Sequence, residues 1–136
     1  MVLLLPLIAG ACADPSPQTR VVEIDCERFS ATAGDQIKLT RWVTVEEGDS
    51  VVVRLCANPS TGFAWEEAAI SAPGVLRQQE HDYIPPAISM PGASGMERWD
   101  FLAVGKGACT VFLSYSRPWD GGEKGARQFE LHVEVK

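Results

Sequence analysis

The 136-residue chain reads as all-β, an immunoglobulin-like antiparallel β-sandwich of about seven or eight strands. Three observations predict it. Apolar residues recur at period two in several short segments, turn-forming residues separate those segments at short intervals, and helical periodicity is sustained nowhere. A hydrophobic fraction of 46% is enough to build the core of one ordinary domain. The formal net charge of −6 argues against nucleic acid as a partner, because phosphate binding rests on Lys and Arg clusters that this chain lacks.

Residues 1–11 form an apolar run that ends in small residues directly before Cys12, the pattern of an export signal peptide. The run is too short to span a bilayer, which takes roughly 20 apolar residues, and Pro6 interrupts it. Its tail, Ala9-Gly10-Ala11-Cys12, resembles a bacterial lipobox, in which the cysteine becomes the lipid-modified first residue. A Leu is usual where Ala9 stands, and no Lys or Arg precedes the run, which is the pattern expected if translation starts upstream of Met1. The expectation is an exported protein, either a cell-envelope lipoprotein in the periplasm or at the cell surface, or plainly secreted. A lipid on Cys12 would be the route to membrane attachment. Residues 12–20 are polar and proline-bearing and read as a tether, leaving residues 21–136 as the folded domain, expected to be a monomer.

Within that domain, residues 21–24 and 37–45 read as the first strands. Residues 51–56 are β-branched and alternate, with Val51, Val53 and Leu55 on one buried face. A strand at 64–67 and another at 75–83 follow, separated by Pro73-Gly74. In the next strand Trp99, Phe101 and Ala103 point inward, and in the one after it Val111, Leu113 and Tyr115 do. The last has the clearest alternation: Phe129, Leu131, Val133 and Val135 interleave with Glu130, His132 and Glu134, so one face is wet. Trp42 and Trp99 read as packing residues, and Phe63 and Trp65 as core or loop-base residues.

Successive antiparallel strands alternate direction, so every second connection lies at the same end. Counting from the strand at Val51, loops 58–63, 84–95 and 117–126 should share one tip, making a composite binding edge. The same count bears on the cysteines. With Cys12 lipidated, Cys26, Cys56 and Cys109 remain, so at most one bridge forms. Cys56 lies just before a tip loop and Cys109 eight residues before Arg117, a separation of roughly 20 Å along the sandwich. A disulfide tolerates only about 7 Å between Cα atoms, which disfavours that pair; Cys26 with Cys56 is geometrically easier, and the pairing stays open.

The tip loops carry recognisable motifs. They read Asn58-Pro59-Ser60-Thr61-Gly62-Phe63, Gly92-Ala93-Ser94-Gly95 and Arg117-Pro118-Trp119. In this order they resemble the chagasin family of cysteine-peptidase inhibitors, whose loops read Asn-Pro-Thr-Thr-Gly-Tyr/Phe, Gly-x-Gly-Gly and Arg-Pro-Trp/Phe. Ala64-Trp65, Tyr83 with Pro85-Pro86, and Tyr115-Ser116 extend the resemblance over residues 37–136. Ser94 departs from it by replacing a glycine, and Ser60 replaces Thr with its hydroxyl kept.

The resemblance implies reversible, tight-binding inhibition of papain-like cysteine peptidases, with loops 58–63, 91–96 and 117–120 inserted as a wedge into the active-site cleft. All thirteen motif residues are then candidate contacts, with Arg117 and Trp119 as the large side anchors. The alternative is an exported immunoglobulin-like binding or adhesion module that uses the same tip for carbohydrate or an envelope protein. Catalysis is not expected. The only imidazoles are His132, on the wet face, and His81, beside Glu80 and Asp82 in what reads as polar surface. The cysteine spacings match no zinc or redox motif, so neither metal nor cofactor is expected.

Overall fold

The computed structural model describes residues 16–29 and 36–136. The expected signal peptide, Cys12 and residues 13–15 of the expected tether lie outside the described residues. Nine strands and one short helix are found among them: β1 (Thr19–Ile24), α1 (Cys26–Phe29), β2 (Ile37–Val45), β3 (Ser50–Ala57), β4 (Ala64–Trp65), β5 (Ala69–Ile70), β6 (Leu76–Ile84), β7 (Gly95–Ala103), β8 (Gly107–Ser116) and β9 (Arg127–Val135). The domain therefore begins slightly earlier than the sequence suggested, since Thr19 and Arg20 pair with Ser50 and Val51.

The strands form two sheets, one in the order β1-β3-β7-β6, the other β2-β9-β8-β4 with β5 also on β8. The expectation of a wholly antiparallel sandwich needs correction: β1 runs parallel to β3, and β2 parallel to β9. The cause is that β2 crosses to the opposite sheet, so its neighbours in sequence meet across it in the same direction. Strand direction within a sheet depends on such crossovers, which local periodicity does not encode.

Alternation decides which side chains enter the core. Phe129, Leu131, Val133 and Val135 of β9 face Val111 and Leu113 of β8, and Trp99 and Phe101 of β7 register with Val53 and Val51 of β3; all are almost fully buried. At roughly 1.5–3 kcal/mol per large apolar side chain, this layer is the main source of stability. Trp42 departs from its expected role. It pairs with His132 on the wet face of the second sheet and is 73% exposed, the most exposed of the large apolar residues. Trp99, by contrast, is fully buried.

Cys26 and Cys56 form a disulfide, their Cα atoms 5.0 Å apart, while Cys109 is a free, buried thiol. The bridge clips α1 to β3 two residues before the first tip loop. At the opposite end of the sandwich the turn from β2 to β3 is held by Asp49, whose carboxylate accepts from the backbone N–H groups of Gln18 (2.8 Å) and Glu46 (2.9 Å). Those two hydrogen bonds hold the Asp49 carboxyl below its ordinary range.

Candidate functional site: a braced three-loop tip

The three loops meet at one end, as strand parity predicts. In the first, Asn58 has an extended backbone and caps a 3-10 turn over Pro59–Thr61. Its Oδ1 accepts from the backbone N–H (3.2 Å) and the hydroxyl of Ser60, and Thr61 Oγ1 donates to the Asn58 carbonyl at 2.7 Å. Asn-Pro serves this geometry twice, since the amide side chain closes the cap and the proline supplies a fixed φ at the first position of the turn. Gly62 closes it at φ +80°, a left-handed conformation that side chains adopt rarely.

Asn58 also joins the first loop to the second, its Nδ2 donating to the Gly92 carbonyl at 3.1 Å. That carbonyl is presented by a tight turn in which Ala93 N–H donates to Met90 O at 3.1 Å. Pro91 and Gly92, the latter at φ +78°, occupy its two central positions, as such a turn favours. Gly92 and Ser94 are exposed, and Ala93 is half-buried. Gly95 is different: it is buried at the start of β7, and a Cβ there would come within 2.3 Å of the Ile84 carbonyl oxygen. The structure thus gives Gly95 the role of seating the second loop against β6, away from the contact surface.

The third loop leans on the first. A Cβ on Gly62 would lie 2.7 Å from the Trp119 ring, so the glycine makes room for the indole as well as turning the chain. The Arg117 guanidinium lies over Phe63, 4.6 Å from its centroid, and 5.9 Å from that of Trp119. Phe63 stacks on Tyr115 (5.3 Å), Tyr115 packs against Trp65 (4.9 Å), and Trp65 meets Trp99 edge-on (6.1 Å). A column of rings and one cation therefore runs from the exposed Trp119 into the core. Phe63, named above both as a motif residue and as a loop-base residue, is half-buried inside this column.

Two further braces were not visible in the motifs. Tyr115 Oη accepts from the Asn58 N–H at 3.0 Å. Lys124 Nζ donates to the carbonyl oxygens of Arg117 and Trp119, the latter at 3.0 Å, while Arg117 N–H donates to Glu123 O and Gly122 N–H to Trp119 O. Lys124 lies seven residues from Arg117, and only the folded turn brings its ammonium back across the loop. The sequence carries no signal for that beyond the glycines around it.

What remains outward is small and polar in the centre, with one large ring at the side. Pro59, Ser60, Thr61, Pro118 and Trp119 are exposed, Trp119 by 52%. His81 is engaged elsewhere, 2.6 Å from Glu97 and stacked on Trp99, and among the described residues no group of three His, Cys, Asp or Glu side chains is placed to hold a metal ion.

Residues 44–133 match the sequence model described as Chagasin family peptidase inhibitor I42. The chain belongs to the chagasin family. It is 33% identical to chagasin of Trypanosoma cruzi over 96 residues, 68% of this chain and 87% of that protein. Amoebiasin-2 of Entamoeba histolytica is 28% identical over 88 residues, 65% of this chain and 72% of the relative. Among solved structures, a cysteine protease inhibitor from Entamoeba histolytica superposes with a TM-score of 0.64 at 20% identity, covering 90% of this chain and all of the other. The inhibitor PbICP-C, solved in complex with falcipain-2, superposes at 0.61 and 15% identity, covering 86% and 99%. At those identities the superpositions speak for a shared architecture. The family is one of peptidase inhibitors, and the matched span takes in all three loops just described.

Proposed function

We propose that this chain is a reversible, tight-binding inhibitor of papain-like cysteine peptidases, and that it presents loops 58–63, 91–96 and 117–120 as a wedge to the active-site cleft. The observation that carries this reading is the mutual bracing of the tip: Asn58 bonded to the second loop, and Trp119 seated on Gly62. A tip already fixed in its binding shape loses little conformational entropy on docking.

The chemistry of such a cleft suits this surface. A thiolate–imidazolium pair and unpaired backbone groups line it, and the hydroxyls of Ser60 and Thr61 can answer them. A peptidase cuts chain laid out in extended form. The 3-10 turn over Pro59–Thr61 and the left-handed Gly62 hold the leading edge out of that form, so the inhibitor fills the cleft without being processed. Arg117 and Trp119 then act as side anchors, of the residue types most often found at the energetic centre of interfaces.

The family relationship and the 33% identity to chagasin support the target class. The residue assignments, export and a lipid on Cys12 are parts of the same proposal. Titrating the mature protein against papain tests it: activity should fall to zero near one equivalent. Full activity at micromolar inhibitor would leave an adhesion module as the better reading. Mass spectrometry of the amino terminus tests the lipid.

A further inference from the structure

The outer face of the second sheet carries a second aromatic site, remote from the tip. Trp42 of β2 lies against His132 of β9, ring centroids 5.6 Å apart and planes 14° from parallel, and its other side faces solvent. The imidazole beneath is fixed at both nitrogens, Nδ1 lying 3.2 Å from Thr110 Oγ1 and Nε2 3.2 Å from Glu130 Oε1. Lys38, 2.7 Å from Glu130, in turn fixes that carboxylate and holds its pKa below the ordinary range. Trp42 is thus a preset platform. Beside it runs an open groove of about 500 Å³ whose lining includes Thr44, Ser71, Thr110 and Glu134.

Three considerations identify the occupant. A single exposed indole offers at most about 250 Å² of contact, whereas a stable protein partner takes about 800 Å² per side, so the ligand is small. The groove volume lies within the range of about 300–1,000 Å³ for small-molecule sites. The charges beneath the ring pair internally, with Lys38 on Glu130 and Glu130 beside His132, and the one further carboxylate of the lining, Glu134, turns anions away and can accept from hydroxyls. What remains is one flat ring face beside hydroxyls and a carboxylate oxygen. Those groups match a pyranose, whose axial C–H face lies on an aromatic plane while its equatorial hydroxyls turn to polar partners.

We propose that Trp42, with Thr44, Thr110 and Glu134, binds a short stretch of neutral hexose chain. Trp42 registers with His132, five residues along β9 from the tip end, a distance of about 17 Å. A glycan held there leaves the three loops clear, so the protein can be retained on a carbohydrate surface while the tip stays available. This site does not depend on the peptidase reading.

Titration calorimetry and tryptophan fluorescence with cellotetraose, chitotetraose and maltotetraose test the proposal, with insoluble cellulose and chitin distinguishing polymer-bound from free chains. Saturable binding of at least one tetrasaccharide is expected, weakened at least tenfold by Trp42→Ala, with titration of papain unchanged. Glu134→Gln and Thr44→Val should each weaken binding less. No saturation by any of the three up to about 10 mM overturns the site. Equal binding by Trp42→Ala overturns the assignment of the ring, tighter binding of a sulfated oligosaccharide overturns the neutral ligand, and a dimer that Trp42→Ala dissolves replaces the glycan with a second copy of the chain.

Discussion

Gly62 is the position where backbone and packing demands coincide. Its φ of +80° disfavours any side chain, and the Trp119 ring occupies the space a Cβ would need. Gly62→Ala should therefore weaken peptidase inhibition by displacing Trp119, and should also lower the melting temperature by a few degrees, since a side chain forced to a positive φ costs on the order of 1 kcal/mol. Trp119→Ala removes the anchor itself and should raise Ki by about 30-fold, the equivalent of roughly 2 kcal/mol, mainly through faster dissociation measured by stopped-flow displacement. Lys124→Met takes the ammonium from the Arg117 and Trp119 carbonyls, of which the latter keeps the Gly122 N–H, and should weaken inhibition by a smaller factor, with Lys124→Arg recovering part of it. At this scale the sequence was uneven in what it disclosed. Trp119 announced itself through Pro118 and the glycines after it, whereas Lys124 acts through a turn that closes only on folding. Trp42 was misread because size favours burial for an isolated Trp; its pairing with His132, on the alternating wet face of β9, decides otherwise.

Among the elements, the link from α1 to β3 stands out. The Cys26–Cys56 bridge closes a separation of 30 residues, which on a chain-entropy argument contributes roughly 3–4 kcal/mol. Replacing both cysteines with Ser should lower the melting temperature by on the order of 10 °C in differential scanning calorimetry. A loss of inhibition well below the melting point would show in addition that the bridge stiffens Asn58, two residues beyond Cys56. The strands themselves were largely legible, because period-two alternation and turn residues bound them, and parity alone assembled the three loops at one end. The two parallel pairings were not legible, since they follow from β2 changing sheets. The disulfide could be narrowed by distance along the strands, which disfavoured Cys56 with Cys109, but not decided until α1 was seen against β3.

At the scale of the whole molecule, the two ends of the sandwich perform different tasks. The tip is braced by hydrogen bonds, stacked rings and the cations of Arg117 and Lys124, while the far turn depends on an ionised carboxylate. Asp49 is held below its ordinary pKa by the Gln18 and Glu46 N–H groups, so the stability it lends is complete above the unfolded value of about 3.9 and is lost as the pH falls through the lower folded value. Denaturant unfolding of the protein and of Asp49→Asn should therefore show a gap at pH 7 that narrows below about pH 4. A gap of constant size across that range would mean the carboxylate charge is irrelevant to the turn.

The four indoles divide evenly between interior and surface: Trp65 and Trp99 are sealed in, while Trp42 on the flank and Trp119 at the tip stand in water. The molecule consequently carries two native dyes, one for each proposed event. A peptidase closing over the prow should shift the emission of Trp119 and spare that of Trp42, and a sugar settling on the flank should do the reverse. Iodide, which quenches only solvent-facing indoles, could then score both occupancies in a single cuvette with no label attached.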